Sequence, residues 1–292
     1  MKLLILNRIF YNELIYLKEW YFFHIKQGVS LIYLYIINKE TDKYDYILDI
    51  LDKKKIKIIY IKQKKYNEAN KHLNLFFKNY YQKHINDWMA IIDVDEFLYS
   101  PLKDKKITDI LDIYEKEKKY AIGINWKCFG SNNIEKNHDK KVLHKFLKCA
   151  EKYHGINTVI KSLFKISSID VNNIKKSNIH KYVLKKGFKY YTTTGIDFVK
   201  NNKKKLSKLK KIRKEYLESL NLKNNFNIDF IYTYPEDKPN LVINHYIVRS
   251  KEEYIFKINN NKERKDRYNL KNFNIYNSFL NEVENNNILD KL

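Results

Sequence analysis

Residues 88–97 have the sequence WMAIIDVDEF, in which five apolar residues run directly into an aspartate pair. A short, continuous apolar run is typical of a strand buried on both faces of a parallel sheet. Because side chains alternate between the faces of a strand, we expect Asp93 and Asp95 to project side by side, with Val94 packed behind them. Glu96 would point to the opposite face, and the sequence leaves open whether it is a structural hydrogen-bond acceptor or part of a site.

Apolar runs and amphipathic segments alternate on both sides of this stretch, which indicates βα units around a mainly parallel sheet. The predicted strands are 2–9, 31–37, 55–61, 88–92, 120–126 and 240–248. The predicted helices are 12–27, 42–52, 67–84, 107–118 and two near the end of the chain, with an exposed, lysine-rich helix or insertion over 200–214. The fold class is therefore α/β and Rossmann-like, with a mainly parallel sheet flanked by helices and a C-terminal extension of helices and strand.

The composition restricts the class of protein. The 292 residues are 44% hydrophobic and 15% aromatic, which is enough to form a core despite 31% charged residues. The formal net charge is +23, and such a charge normally suggests nucleic acid or an anionic membrane surface as a partner. Only five of the 57 basic residues are arginine, however, and arginine is the residue preferred for base readout and phosphate forks. We therefore expect no nucleic-acid partner and a solvated lysine surface, with peripheral membrane contact left open.

Targeting signals and cysteines favour a cytoplasmic protein. No apolar run approaches the roughly 20 residues of a membrane span, and residues 3–9 are interpreted as a first strand rather than a signal peptide. Cys128 and Cys149 are too few for a disulfide framework or a four-cysteine zinc site, which fits a reducing compartment. The oligomeric state is left open.

The aspartate pair suggests a metal site. In open α/β sheets the ligand crevice lies at the carboxyl ends of the strands, which is where Asp93 and Asp95 fall. Two neighbouring carboxylates repel each other unless a hard cation or hydrogen-bond donors are close, and Mn²⁺ or Mg²⁺ meets that need. Such an ion would neutralise charge on a diphosphate leaving group. We therefore predict a catalytic metal site at these two residues.

Three enzyme classes place paired acids on α/β sheets. Haloacid-dehalogenase-type phosphatases have the pair after the first strand, whereas here it lies beyond residue 90. Polymerase-β-type nucleotidyltransferases have Gly-Ser before the pair, whereas here Gly130-Ser131 follows it. Nucleotide-sugar glycosyltransferases of the GT-A type have the pair after about four strands of a Rossmann-like half, as in this chain. The third class fits best.

Further motifs resemble the GT-A glycosyltransferases related to family 2 and family 92. Residues 12–28 resemble their opening pattern "NE..YL.EW..H...G", and residues 244–257 resemble their tail "NHY..S.EE...K". Between these motifs, the matching positions are Gln63, Tyr66-Asn67, Trp88, Asp93 to Leu98, Trp126, Phe129-Gly130-Ser131, Lys161-Ser162 and His180. The resemblance spans roughly residues 7 to 260.

The resemblance implies a GT-A fold and a glycosyltransferase that moves a sugar from a nucleotide-diphosphate-sugar donor, a UDP-sugar, to a hydroxyl of a saccharide or glycoconjugate acceptor. Inversion at the sugar is expected of the family. Asp93 and Asp95 would hold the metal and the donor, while Asn12 and Glu13 would lie near the donor base. Asn38 would contact the nucleotide, although Ile37-Asn38 replaces the Asp-Asn pair of the family pattern "DN.S.D". Residues 259–261, all asparagine, replace the Arg-Gly that follows the family's tail motif.

Other site residues follow from the resemblance or from residue type. His180 is the first candidate to complete the metal site and His245 the second, the alternative for both being a hydrogen-bonded, partly buried histidine. Lys161, Lys257 and Arg249 are candidates to neutralise the diphosphate, or else lie solvated at the surface. Glu135 and Asp139, in the loop after Trp126, are candidates for the general base that accepts the acceptor's proton, with a role as surface charges as the alternative. His24 and Trp20 are expected in the core.

We divide the chain into a nucleotide-sugar-binding catalytic core over residues 1–185 and a C-terminal part of the same domain over 186–292. The second part contains the lysine-rich helical insertion at about 200–220 and an acceptor-side tail. Two other interpretations remain open. The chain could be a basic protein that binds nucleic acid or a membrane surface with purely structural acids, or a degenerate relative that binds a nucleotide sugar without turnover.

Overall fold

The computed structural model describes residues 1–39, 41–62, 71–222, 231–260 and 269–292. Four positions singled out from the sequence, Gln63, Tyr66, Asn67 and Asn261, lie outside these ranges. The strands are β1 (Leu3–Phe10), β2 (Leu31–Ile37), β3 (Ile56–Ile61), β4 (Trp88–Ile91), β5 (Glu96–Tyr99), β6 (Ala121–Cys128), β7 (Lys148–Cys149), β8 (Ile160–Lys165), β9 (Val242–His245) and β10 (Val283–Glu284). The helices are α1 (Leu17–Lys26), α2 (Asp45–Asp49), α3 (Lys71–Tyr80), α4 (Ile107–Lys116), α5 (Phe198–Lys204), α6 (Leu206–Ser219), α7 (Lys251–Asn260) and α8 (Leu270–Leu280).

Eight strands form one sheet in the order β3-β2-β1-β4-β8-β6-β9-β5. The pairs within β3-β2-β1-β4 are parallel, as is the pair of β6 with β9. Strand β8 runs antiparallel to both of its neighbours, and β5 runs antiparallel to β9. The sheet is thus mixed but mostly parallel, and the first four strands have the order of one Rossmann half. The predicted α/β, Rossmann-like fold class is confirmed.

The alternation of side chains along β1 explains the two layers of the core. Leu3 and Ile5 pack with α1 and α4 on one face of the sheet, whereas Leu4 and Leu6 pack with α3 on the other. Trp20 is fully buried in the first layer, as expected from the sequence, and Trp88 is fully buried there too. Both faces of the parallel strands are therefore covered, which explains why these strands are continuous apolar runs.

Strand direction brings distant segments to one edge of the sheet. Strands β1, β4, β6 and β9 all end at this edge, because they run parallel to one another. Strands β8 and β5 run the other way, so their first residues, Ile160 and Glu96, start at the same edge. The loop after β4, the start of β8 and the end of β9 consequently meet.

Several predicted elements differ in extent from those in the structure. The predicted helix over 12–27 begins with a 3₁₀ segment, Tyr11–Tyr16, and becomes α-helical only at Leu17. The predicted helix over 42–52 is reduced to the five residues of α2. Strands β5 and β8 were not predicted, because each is short and β8 lies in a stretch with weak periodicity. No helix in the described ranges is long and apolar enough to cross a membrane.

Candidate functional site

A cleft of about 290 Å³ lies at the edge where these strands meet. Six residues predicted from the sequence line it: Glu13, Asp93, Asp95, His180, His245 and Lys257. An adjoining cavity of about 110 Å³ shares Glu13, Asp95 and Lys257 with the cleft and adds Asn12 and Arg249. The structure thus brings most of the predicted site together from four separate segments of the chain.

The aspartate pair lies on a turn and not on an extended strand. The Glu96 N–H donates to the Asp93 carbonyl oxygen at 3.1 Å, which closes the turn between β4 and β5. In return, the Asp93 N–H donates to Glu96 Oε2 at 2.8 Å. The turn carries Glu96 beneath Asp93, so the expectation that Glu96 points to the opposite face was wrong. Glu96 is a buried residue of the site. The assumption of an extended chain did not predict this position.

Lys161 joins two of the three acids. It is the second residue of β8, and its side chain is only 2% exposed. Its Nζ lies 2.7 Å from Asp93 Oδ2 and 3.2 Å from Glu96 Oε2. Burial would lower the pKa of Lys161, but the two carboxylates outweigh burial and raise it, so the ammonium stays charged.

The same pairing affects the acids. Burial opposes ionisation of Asp93, but the Lys161 ammonium holds its pKa below the ordinary value. Burial raises the pKa of Glu96 to about 8, because the charges of Asp93 and Asp95 add to the effect of burial and the attraction of Lys161 only partly offsets them. At neutral pH the site therefore holds an ionised Asp93, a charged lysine and a largely protonated Glu96.

Asp95 has its own cationic partner. Lys257 of α7 lies 3.2 Å from Asp95 Oδ2, and His245 Nε2 lies 3.7 Å from the same oxygen. Although burial would raise the pKa of Asp95, Lys257 and His245 hold it well below the ordinary value. The side chain of Asp95 is 15% exposed and that of Asp93 is 44% exposed, so Asp93 is the more accessible carboxylate.

His180 is held in a defined orientation. Its Nδ1 lies 3.0 Å from the Ile160 carbonyl oxygen, and this contact requires the proton on Nδ1. Burial lowers the pKa of His180 to about 3, so the ring is neutral and Nε2 carries the lone pair. The Trp126 ring packs against both histidines, with centroid distances of 5.3 Å to His180 and 4.3 Å to His245.

Glu13 is a third carboxylate at the cleft. Its Oε2 accepts a hydrogen bond from the Phe10 N–H at 3.2 Å, so the end of β1 fixes its position. Burial raises the pKa of Glu13, and the nearby charge of Asp95 acts in the same direction. Glu13 therefore lies in the wall shared by the cleft and the smaller cavity, and its carboxyl takes up a proton more readily than an ordinary glutamate.

The chemistry of these groups fits a hard divalent cation. In the described part of the chain, no three His, Cys, Asp or Glu side chains converge as a complete metal cage. Mg²⁺ rarely needs such a cage, because one or two carboxylates with water and substrate phosphates complete its shell. The accessible Asp93 carboxylate and Asp95 are the residues at the cleft that could hold such an ion. His180 has the hydrogen-bonded Nδ1 that is typical of a metal-ligating histidine.

Three predicted residues are not brought to the cleft. Asn38 follows β2, on the far side of β1 from β4 and β8, and it lines neither cavity. Glu135 pairs with Lys251 at the start of α7, and Asp139 pairs with Lys145. Both acids are exposed, because their loop packs over the first turn of α7, where the backbone N–H groups of Lys251 and Glu252 donate to it. Proximity in sequence to Trp126 was a poor guide to their position.

The lysine-rich segment contributes side chains to the cleft. Helix α6 exposes its lysines but buries Leu209 and Arg213, and Arg213 and Tyr216 line the cleft. The Arg213 guanidinium donates to the Gly155 carbonyl oxygen at 3.0 Å. A Cβ on Gly155 would lie 2.2 Å from the Ile212 carbonyl oxygen, so only glycine permits this approach. Gly155 was the sequence signal that could have predicted the packing of α6, because an isolated glycine often marks a close approach of two backbones.

Comparisons with known proteins add a distant similarity of fold. No protein-family model matches the chain, and no curated protein matches it. Among solved structures, TarS 1-349 from S. aureus has 11% identity and a TM-score of 0.39, over 60% of this chain and 50% of that one. TarS 1-349 in complex with UDP gives 11% identity and a TM-score of 0.38, over 60% and 49%.

A second kind of structure is also similar. The putative glucose-1-phosphate thymidylyltransferase from Bacillus anthracis has 12% identity and a TM-score of 0.36, over 73% of this chain and 95% of that one. The chain spans about half the length of the TarS 1-349 structures that it matches. At these identities and scores, the similarities carry no assignment of function.

Proposed function

We propose that the protein is a metal-dependent glycosyltransferase that moves a sugar from a nucleotide-diphosphate-sugar donor, a UDP-sugar, to a hydroxyl of a saccharide or glycoconjugate acceptor, with inversion. The observation that carries this proposal is the pairing of acids and lysines at the carboxyl edge of the sheet. Asp93 pairs with Lys161 and Asp95 pairs with Lys257, both at the cleft. The order of motifs that resembles the GT-A glycosyltransferases of families 2 and 92 supports the same function.

The acids and lysines have complementary tasks in the proposed reaction. Asp93 and Asp95 would hold Mn²⁺ or Mg²⁺, with His180 Nε2 as the additional protein ligand. The ion would neutralise charge that develops on the departing diphosphate. Lys257, which lines the cleft 3.2 Å from Asp95, would donate to phosphate oxygens, whereas the buried Lys161 would hold the Asp93 carboxylate in position. Lys161 stays charged, because Asp93 and Glu96 raise its pKa despite burial.

The nucleoside would occupy the smaller cavity. Its lining residues include Asn12, Glu13, Tyr16 and Arg249. The Arg249 guanidinium lies 3.7 Å from the centroid of the Tyr16 ring, so the wall is rigid and presents aromatic and polar atoms together. This arrangement suits a base that needs both stacking and hydrogen bonds, and it agrees with the role that the resemblance gives to Asn12 and Glu13.

The test combines nucleotide binding with one substitution. We expect UDP with Mn²⁺ to raise the melting temperature of the wild-type protein, because a ligand that binds only the native state stabilises it. Asp95→Asn should remove the Mn²⁺-dependent part of this shift and abolish turnover of the UDP-sugar. Asp112→Asn, at an exposed position of α4, is the matched control and should behave as the wild type. Full activity of Asp95→Asn would contradict the proposal.

A further inference from the structure

A second cavity, of about 340 Å³, shares Trp126 with the cleft. Its walls combine apolar groups, such as Pro235 and Leu241, with the amides of Asn125 and Asn157. The volume lies within the range of about 300 to 1,000 Å³ that is usual for small-molecule sites, and such sites combine apolar walls with a few polar groups. Because Trp126 borders both spaces, a ligand in the second cavity would lie next to the proposed donor.

The two acids of this cavity already have partners. Asp237 Oδ1 lies 3.0 Å from the ammonium of Lys152. Glu236 accepts hydrogen bonds from the N–H groups of Thr193 and Thr194, at 2.8 and 3.0 Å. Neither carboxylate therefore needs a further donor from a ligand.

Among the described residues, no carboxylate lies beside Lys127 as one does beside Lys152. Within the described ranges, its electrostatic neighbours are the Cys149 thiol and Lys152, and no carboxylate pairs with it. Burial lowers its pKa, and the charge of Lys152 acts in the same direction, so an anion beside Lys127 would relieve an unfavourable environment. Lys127 is thus a largely buried cation at a cavity whose acids are otherwise engaged, and burying a charge without a counter-charge is costly.

We propose that the second cavity binds an anionic sugar unit of the acceptor, with its carboxylate or phosphate on Lys127 and its ring between the apolar walls. This inference rests on the proposed function in one respect, namely that the bound sugar is part of the acceptor. The binding of an anionic sugar at Lys127 can be measured by itself. Specificity of this kind is chemically reasonable, because a charge-assisted hydrogen bond in a partly buried site is stronger than one between neutral groups.

The experiment measures binding of three probes by calorimetry: D-glucuronate, D-glucose 6-phosphate and D-glucose. Saturating UDP with Mn²⁺ is present throughout, so that anions cannot report on Lys161 or Lys257. We expect at least one of the two anionic sugars to bind about tenfold or more tightly than glucose. The two anionic probes distinguish a carboxylate from a phosphate as the group that is recognised.

Variants connect the preference to Lys127. In Lys127→Met the preference for the anionic sugar should disappear, whereas Lys210→Met, at an exposed position of α6, should retain it. Lys127→Gln is a second neutral variant in case Lys127→Met does not fold. Equal binding of all three sugars to the wild type, or an unchanged preference in a folded neutral variant, would overturn the inference. If UDP fails to bind, the proposed function fails, but the comparison of Lys127 variants without nucleotide still tests this cavity.

Discussion

Lys161 connects the acids of the cleft, and its environment defines what its removal would do. Its ammonium lies within 3.2 Å of both Asp93 and Glu96, and the Glu96 side chain is fully buried. A buried ion pair contributes less to stability than its Coulomb energy suggests, because both charges lose their hydration. Removal of Lys161 is nevertheless costly, because Asp93 loses its counter-charge and the buried Glu96 loses a neighbouring hydrogen-bond donor.

We therefore predict that Lys161→Met lowers the free energy of unfolding by about 1 to 3 kcal/mol, the usual cost of leaving a buried polar group without its partner. The double variant Lys161→Met/Glu96→Gln should lose less than the sum of the single variants. Glutamine at position 96 cannot ionise and still accepts the hydrogen bond from the Asp93 N–H, so it depends less on Lys161 than glutamate does. Urea unfolding of the four proteins checks this, and simple additivity would show that Lys161 and Glu96 are not coupled.

A second prediction at the residue scale concerns pH and His24. Both ring nitrogens are used, since Nδ1 lies 2.8 Å from the Trp20 carbonyl oxygen and Nε2 accepts the Leu98 N–H at 3.1 Å. Burial lowers the pKa of His24 from 6.5 to about 3, so the unfolded chain takes up the proton first as pH falls. The stability from the neutral ring is complete above pH 6.5 and is lost progressively towards pH 3, by about 2 kcal/mol at pH 5.

Glutamine at this position isolates the effect, because its side chain can also donate and accept but does not titrate. We expect His24→Gln to show a flatter dependence of unfolding free energy on pH between 7 and 5 than the wild type. Urea unfolding at several pH values measures the difference in slope, which is independent of any constant cost of the substitution. Parallel curves for the two proteins would refute the assignment.

At the scale of elements, α6 shows how a segment that looks exposed in sequence becomes part of the site. Its lysines face solvent, but Leu209 is fully buried and Arg213 reaches Gly155. We predict that Leu209→Ala lowers the free energy of unfolding by about 2 to 5 kcal/mol, through lost burial and the cavity that remains. Lys208→Ala, the exposed neighbour, should change it by less than about 0.5 kcal/mol. Equal effects of the two substitutions would mean that α6 is not packed as described.

The long apolar strands were predictable from sequence, whereas the short elements at the site were not. Strand β2 has the predicted bounds, because a strand buried on both faces leaves an unmistakable apolar run. Strand β8 could not be predicted in the same way, since the polar residues Lys161 and Ser162 interrupt its apolar run. The polarity of Lys161 is acceptable only beside Asp93 and Glu96, and these partners are distant in sequence. Antiparallel strand pairing, which periodicity does not reveal, brings them together.

Contacts between distant segments also decide which residues could be placed at the cleft from the sequence and which could not. Asp93 and Asp95 could be predicted, because they end an apolar strand and the ends of parallel strands meet at one edge. Glu96 was misplaced, because a turn reverses the expected alternation of faces. Glu135 and Asp139 lie in a loop whose course depends on its packing against α7, so sequence distance from Trp126 contained no information about their position.

At the scale of the whole molecule, the net charge of +23 and the charges of the cleft differ in how strongly salt screens them. Many lysines lie at the surface, where salt screens them within about 10 Å at 0.1 M ionic strength. Lys161, by contrast, is 2% exposed and directly paired, so salt affects it far less. Ionic strength can therefore distinguish a ligand held in the cleft from a polyanion attracted by the entire surface.

The last prediction uses this difference against the alternative of a nucleic-acid-binding protein. Binding of UDP in the presence of Mn²⁺ should weaken by less than about threefold between 50 and 200 mM KCl, because few counterions are released when one diphosphate enters the cleft. Binding of a duplex oligonucleotide to the lysine surface should fall by a factor on the order of 10³ over the same range, if about six phosphates are contacted. Titrations followed by fluorescence anisotropy, with labelled UDP and labelled duplex, give both slopes. A steep slope for UDP, together with duplex binding that remains tighter than about 10⁻⁸ M at 200 mM KCl, would favour nucleic acid as the partner and reject the glycosyltransferase.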